Sequence, residues 1–141
     1  MRLLMGLDQY AYQRNKDSKL NGTMTNEDYD NIKYEWRKHA RLQVFMRDLY
    51  REKTPKDQRE EGGFNLGFNG EPLELNLEDL EKLGKDIRED YFNSFADDGY
   101  FWGQQFQEEQ VKEYKMQDQN FIKWARQELK DGNKVFYSCS W

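Results

Sequence analysis

The run NKVFYSCSW, from Asn133 to Trp141, is the stretch that decides the fold. It follows the helix breaker Asp131-Gly132 and is rich in β-branched and aromatic residues, which favour strands. Chain termini are mobile unless they are bound to the rest of the protein. This terminus is therefore expected to lie in a β-sheet, with Val135, Tyr137, Cys139 and Trp141 inward and Phe136, Ser138 and Ser140 on the other face.

A partner strand is predicted near the start of the sequence, from Gly6 to Arg14. Its residues alternate, so that Gln9 and Ala11 would face one way and Tyr10 and Tyr12 the other. We expect this strand and the terminal strand to lie side by side in one small antiparallel sheet.

The longest predicted helix runs from Thr25 to about Glu52. Thr25 is a favourable N-cap, and Glu27 and Asp28 follow it in the first turn, where the helix dipole favours negative charge. One apolar face then recurs at spacings of three and four residues, at Ile32, Trp36, His39, Leu42, Met46 and Leu49.

Two more helices and a hairpin complete the predicted elements. Phe64–Leu75 contains two short alternating runs around Asn69-Gly70, which is a hairpin turn signal. Helices are predicted from Asn76 to about Phe95 and from about Gln105 to Lys130. Residues 1–141 are therefore expected to form a single α+β domain, in which about three helices pack on the sheet.

The composition indicates a folded domain with a highly charged surface. Charged residues make up 35% of the 141 residues and the mean hydropathy is −1.21, values that taken alone lean toward disorder. Aromatic residues, at 16%, favour a packed core instead. The net charge of −5 argues against nonspecific binding to nucleic acid, which requires a cationic surface facing the phosphates.

The single cysteine, Cys139, allows no internal disulfide and suits a reducing compartment. The largely apolar residues from Met1 to Leu7 are too few for a signal peptide or a membrane span. We therefore expect a soluble cytoplasmic protein with no membrane partner. Cys139 itself is interpreted as a small buried hydrophobe rather than a reactive thiol.

Catalytic motifs are absent from the sequence. No phosphate-binding loop, dinucleotide-binding glycine motif or serine nucleophile elbow occurs. The single histidine, His39, excludes a His-rich metal site, and no spacing of carboxylates singles out a magnesium site. No catalytic residue, cofactor or metal is assigned. His39 lies near Trp36 on the predicted apolar helix face and is interpreted as a packed, hydrogen-bonded histidine rather than an acid–base residue.

Trp36-Arg37-Lys38 is a candidate binding motif. Trp36 would face inward, with Arg37 and Lys38 on the flanks of the helix. Arg37 could then bind a carboxylate or another anion through two guanidinium nitrogens. The alternative is an ordinary solvated basic face, in which exposed charges do nothing specific.

Asp118 interrupts the apolar face of the last helix, one turn from Tyr114 and Phe121. Its carboxylate is expected either at the edge of that face or partly buried against a cation. If it is buried it must be paired, because an unpaired buried charge is too costly. Arg37 and Arg41 are the predicted partners. A structural ion pair is favoured over a functional acid.

Tyr100-Phe101-Trp102 form an aromatic cluster between helix breakers. Such a cluster serves either as a core plug or as an anchor for a partner protein. A stacking platform for a nucleobase is a third and less favoured interpretation.

Four motifs, taken in order, resemble a family of small phage and bacterial proteins. They are MGLDQY (Met5–Tyr10), YEWRK (Tyr34–Lys38), GYFWG (Gly99–Gly103) and FYSCSW (Phe136–Trp141), and together they span nearly the whole chain. Members of that family open with MGLDxY, carry a YWRK-type helix and a GFFFG-like segment, and close with FYYRSSW. This chain inserts a residue within YWRK, has Cys139 where the family usually has serine, and starts four residues before the usual initiator.

The resemblance implies a set of site residues but no established activity. The positions that match the family motifs are Asp8, Tyr10, Trp36, Arg37, Lys38, Tyr137, Ser140 and Trp141, and with His39 and Asp118 they are the candidate binding residues. Some members carry the label phosphoglycerate kinase. That activity is not expected here, because 141 residues cannot form the two large lobes that it requires.

Three functions remain open at this point. The first is a non-enzymatic, phage-type binding protein that acts in the host cytoplasm on a host protein or a small anionic ligand. The second is a small enzyme for a phosphorylated or nucleotide metabolite, with Asp8 or Asp118 beside Arg37 in a pocket that could admit a magnesium ion. The third is a structural subunit of a homo-oligomer formed through Tyr100 to Trp102.

Overall fold

The computed structural model of the protein describes residues 8–18, 24–37, 39–54, 71–89 and 108–140. In chain order the elements are β1 (Asp8–Arg14), α1 (Asn26–Asp30), β2 (Ile32–Arg37), α2 (Ala40–Lys53), β3 (Leu73–Leu75), α3 (Leu77–Glu89), α4 (Glu108–Lys130) and β4 (Lys134–Ser140). These strands form one antiparallel sheet in the order β2-β1-β4-β3. The predicted α+β class is confirmed.

The first and last strands pair with each other, as their alternating residues predicted. β1 and β4 occupy the two central positions of the sheet and run antiparallel, from Asp8 opposite Ser140 to Arg14 opposite Lys134. One face of the sheet, here called the core face, shares a hydrophobic core with α2, α3 and α4. It carries Ala11, Trp36, Leu73, Leu75, Val135, Tyr137 and Cys139.

The single long helix predicted from Thr25 to Glu52 is wrong. Thr25 does start a helix with a capping box. The Thr25 hydroxyl accepts a hydrogen bond from the backbone N–H of Asp28, and the Asp28 carboxylate accepts one from the backbone N–H of Thr25. That helix, α1, ends at Asp30, and Ile32–Arg37 continue as strand β2 against β1. Every second residue of IKYEWR is large and apolar, so the segment satisfies the strand period of two as well as the helical spacing. Pairing with β1 decides between them.

The two later helices agree with the prediction over the described residues. Asn76 caps α3, because its side-chain oxygen accepts from the backbone N–H of Asp79 and the Asp79 carboxylate accepts from that of Asn76. Helix α4 ends at Lys130, as predicted, and Gly132 follows with a φ of 91°, which glycine adopts without strain. The predicted turn Asn69-Gly70 and the predicted helical residues 90–95 and 105–107 lie outside the described residues.

Aromatic rings join β2 to α4 in the core. Trp36 lies edge-on to Phe121, with ring centroids 5.3 Å apart. Tyr34 contacts Phe121 and Trp124, at centroid distances of 5.8 and 5.6 Å. This packing fixes α4 against the sheet, so that Asp118, one turn before Phe121, faces the same side.

Side chains bind backbone carbonyl groups at both edges of the sheet. On β2 the carbonyl of Glu35 accepts from Gln117 Nε2 at 2.7 Å, and that of Arg37 accepts from the Tyr114 hydroxyl at 2.9 Å. On β3 the carbonyl of Glu74 accepts from Lys53 Nζ at 2.6 Å. Both outer strands are therefore held to a helix through their backbones as well as through their side chains.

Candidate functional site

Four of the predicted binding residues, Trp36, His39, Asp118 and Tyr137, are buried on the core face. Asp118 of α4 is fully buried, and its Oδ1 accepts a hydrogen bond from Trp36 Nε1 at 2.7 Å. Its Oδ2 lies 2.7 Å from Nε2 of His39, the residue that precedes α2. The His39 ring stacks on Tyr114, with centroids 4.3 Å apart. Strand β2 and helices α2 and α4 therefore meet at one carboxylate.

Of the two positions expected for Asp118, the structure shows the buried, paired one, but the expected partner Arg37 is wrong. That prediction assumed a helix, in which successive residues lie about 100° apart. In strand β2, successive side chains point to opposite faces, so Trp36 reaches Asp118 and Arg37 points away. The side chain of Arg41, the other predicted partner, lies outside the described residues.

A second set of buried hydrogen bonds continues from His39. The Gln9 amide accepts from the His39 backbone N–H at 2.8 Å and donates to the His39 carbonyl at 3.0 Å. Gln9 Nε2 also donates to the Tyr137 hydroxyl at 2.9 Å, and that hydroxyl donates to Gln43 Oε1 at 2.6 Å. Gln43 Nε2 lies 3.3 Å from Cys139 Sγ.

These contacts form one buried network, which consists of Gln9, Trp36, His39, Gln43, Asp118, Tyr137 and Cys139. Burial raises the pKa of the Tyr137 hydroxyl well above its ordinary value, so the hydroxyl stays protonated and keeps its place in the chain of bonds. No residue of the network lines any of the surface cavities described below. Its geometry suits a structural role, since a buried carboxylate with both oxygens engaged is costly to disturb.

Asp8, Tyr10, Arg37 and Ser140 lie on the opposite face of the sheet, here called the outer face. Asp8 Oδ1 is 3.8 Å from Arg37 Nε, and the Tyr10 hydroxyl is 3.4 Å from Ser140 Oγ. The side chains of Arg37 and Asp8 are 72% and 43% exposed, so their ion pair contributes little to stability. The described candidates therefore divide between the buried network and the outer face. The remaining candidates, Lys38, Tyr100, Phe101, Trp102 and Trp141, lie outside the described residues.

Sequence reasoning missed a buried ion pair on the outer face, between Arg14 of β1 and Asp28 of α1. The guanidinium donates through Nη2 and Nε to the two carboxylate oxygens, at 2.7 and 3.1 Å, and lies 4.7 Å from the centre of the Phe136 ring. Burial alone would raise the pKa of Asp28, but hydrogen bonds from Arg14 and from the Thr25 backbone hold that pKa below its ordinary value. The sequence did contain a signal for this pair: strand β1 ends at Arg14, and the next helix begins with a capping box that contains Asp28.

A polar cavity of about 820 Å³ opens beside this ion pair. Its lining combines the cations Arg14 and Lys16 with the carboxylates Asp17, Glu27 and Asp28. Because both signs of charge are present, the cavity favours no particular class of ligand.

A groove between α3 and α4 has a partly apolar floor and positive walls. It consists of two cavities of about 470 and 600 Å³, which share Glu81, Gln119, Ile122 and Arg126. Among the described residues that line it, Glu81 is the one carboxylate and five are exposed cations: Lys85, Arg88, Lys123, Arg126 and Lys130. None of the five lies within ion-pair distance of a carboxylate in the described part of the chain. On a protein with a net charge of −5, this groove is a local concentration of positive charge.

The described residues contain no group of three or more His, Cys, Asp or Glu side chains placed to hold a metal ion. Among their helices, none is both long enough and apolar enough to cross a membrane. Comparison with protein-family models, with curated protein sequences and with solved structures gives no match to this chain.

Proposed function

We propose that this protein is a non-enzymatic binding protein whose ligand is anionic and lies in the α3–α4 groove. The observation that carries the proposal is the set of five exposed cations that share this groove without an ion pair among the described residues. Like charges on one concave surface repel one another, and a ligand with carboxylates or phosphates relieves that repulsion. The acidic remainder of the chain makes the groove selective, because an anionic partner is repelled elsewhere.

A host protein in the cytoplasm is the partner that we propose. The resemblance of four motifs to those of small phage and bacterial proteins supports a role in infection, and an acidic surface on the partner would complement the groove.

The alternative of a small enzyme receives no support from the geometry. It requires Asp8 or Asp118 beside Arg37 in one pocket. Asp118 belongs to the buried network on the core face, whereas Arg37 is exposed on the outer face. Neither Asp8 nor Arg37 lines any of the cavities described above.

Charge reversal in the groove tests the proposal. The variant Lys123→Glu/Arg126→Glu reverses two positive charges on the α4 wall of the groove, and Lys33→Glu/Lys134→Glu makes the same change in net charge at exposed positions on β2 and β4. Oligo-glutamate is titrated into each protein at low ionic strength by calorimetry. We expect binding by the wild type and by the control, a rise in Kd of about tenfold or more in the groove variant, and weaker binding as salt is added. Equal binding by both variants, or none by the wild type, would refute the proposal.

A further inference from the structure

The α3–α4 groove is long rather than round. The residues that α3 contributes run from Leu77 to Arg88, and at 1.5 Å per residue they cover about 16 Å. A single phosphate or carboxylate group would occupy only a small part of this length. A helix of about three turns has the same length as the groove.

The cations are spaced along the groove as a helical partner would meet them. Lys123, Arg126 and Lys130 follow one another on α4 at intervals of three and four residues, so they share one side of that helix. Lys85 and Arg88 are three apart on α3. A bound helix would therefore meet positive charge from both α3 and α4 toward the Arg88 end of the groove, and from α4 toward the Leu77 end.

The floor of the groove supplies apolar contacts between these two rows. Leu80 and Ile122 are buried beneath it, and Leu77 remains 51% exposed at one end. Gly84 has no side chain to fill the space, and a Cβ built there would lie 3.4 Å from Arg88 Nη1 and 3.8 Å from Ile122 Cδ1. A simple anion would make no favourable contact with an apolar floor, whereas the apolar stripe of an amphipathic helix would pack against it.

We propose that the occupant of the groove is an acidic amphipathic helix of about three turns on a partner protein. Its apolar stripe lies over Leu77, Leu80 and Ile122, and its flanking carboxylates meet the two rows of cations. This inference rests on the proposed function and narrows it to one class of ligand.

Two synthetic peptides of equal composition distinguish a helix from a generic polyanion. One places Leu at helical spacing with Glu on both flanks, and the other has the same residues in scrambled order. Short helices are marginal in water, so helicity induced by binding is readily seen by circular dichroism. We expect the amphipathic peptide to bind about tenfold or more tightly than the scrambled one and to gain helicity on binding.

Variants of the groove separate the two levels of inference. Lys123→Glu/Arg126→Glu should abolish binding of the amphipathic peptide, and Lys33→Glu/Lys134→Glu should leave it unchanged. Gly84→Leu fills the floor without a change of charge, so it should weaken the amphipathic peptide while oligo-glutamate still binds. Circular dichroism of each variant alone verifies that it is folded.

The outcomes lead to different conclusions. If oligo-glutamate binds in the groove but the amphipathic peptide gains neither affinity nor helicity over its scrambled control, the helix inference is refuted and the proposed function stands. If no anionic probe binds to the wild type, both are refuted. A concentration-dependent dimer in light scattering that the groove variant abolishes would assign the groove to a second copy of the chain and also refute the helix inference.

Discussion

The indole N–H of Trp36 donates to the carboxylate of Asp118 at 2.7 Å, across 82 positions of sequence. This bond joins the edge strand β2 to helix α4 inside the core. Asp118→Ala would leave both Trp36 and His39 without their buried acceptor, so we expect it to lower the free energy of unfolding by about 3–5 kcal/mol. Urea denaturation at pH 7 measures this loss.

Two controls locate the effect in the network. Trp36→Phe keeps an aromatic ring but removes the donor, and should cost about 1–3 kcal/mol. Asn120→Ala changes an exposed residue on the same helix and should stay within about 0.5 kcal/mol of the wild type. If Asp118→Ala fell within the range of this surface control, the network would have no structural weight.

The Arg14–Asp28 ion pair should make stability depend on pH in the acid range. The pKa of Asp28 in the folded protein lies below its ordinary value of 3.8. The ion pair therefore makes its full contribution to the free energy of unfolding above pH 3.8. As the pH falls through the lowered pKa, the carboxylate is protonated and the contribution is lost. We expect Asp28→Asn to cost about 2–3 kcal/mol at pH 7 and progressively less below about pH 4. Urea denaturation at a series of pH values provides the comparison.

The exposed residue Asp30 of α1 supplies the control for this pH dependence. The difference in free energy of unfolding between wild type and Asp30→Asn should stay near zero over the whole range. A difference for Asp28→Asn that did not narrow in acid would contradict the assigned pairing.

Two glycines should respond in opposite ways to alanine. Gly84 lies inside α3, and a Cβ there would meet only Arg88 Nη1 at 3.4 Å and Ile122 Cδ1 at 3.8 Å. Gly84→Ala should therefore stabilise the protein by about 0.5–1 kcal/mol, because alanine favours a helix. Gly132→Ala, at a φ of 91°, should destabilise it by about 1–2 kcal/mol. Thermal unfolding of both variants tests this prediction. A change of the same sign in the melting temperatures of both variants would contradict it.

Cys139 should react with thiol reagents only when the protein opens. It is almost fully buried on β4, in contact with Gln43. We expect labelling by a disulfide reagent in native buffer to be slow, because access requires an opening of the sheet. The same reagent in guanidinium should label one thiol per chain at once, since the sequence contains a single cysteine. Rapid labelling of the folded protein would contradict this burial.

The sequence was sufficient for the elements whose signals are local. The two terminal strands have an alternation of residues that fits a strand and not a helix. The helix caps at Thr25 and Asn76 are each followed by an acidic residue three positions later, as the capping pattern predicts. Strand β2 could not be predicted this way, because Ile32 and Trp36 fit both periods and only pairing with β1 separates them.

The polar contacts depended even more on distant parts of the chain. Gln9 and Gln43 have no sequence signature, since an amide becomes structural only when a backbone or hydroxyl partner is brought to it. The groove likewise arises from the packing of α3 on α4. Lys85 and Arg126, 41 positions apart in the printed sequence, could not be recognised as two walls of one site.

The hydrogen bonds to the edge carbonyls of β2 imply that α4 protects the open edge of the sheet from pairing with another molecule. Tyr114 and Gln117 engage the carbonyls of Arg37 and Glu35, to which a strand from another molecule would otherwise pair. That protection depends on α4 staying in place, not on the strand itself. A partial unfolding that lifts α4 would expose an aromatic edge strand, IKYEWR, so the first aggregates formed under stress should grow from β2.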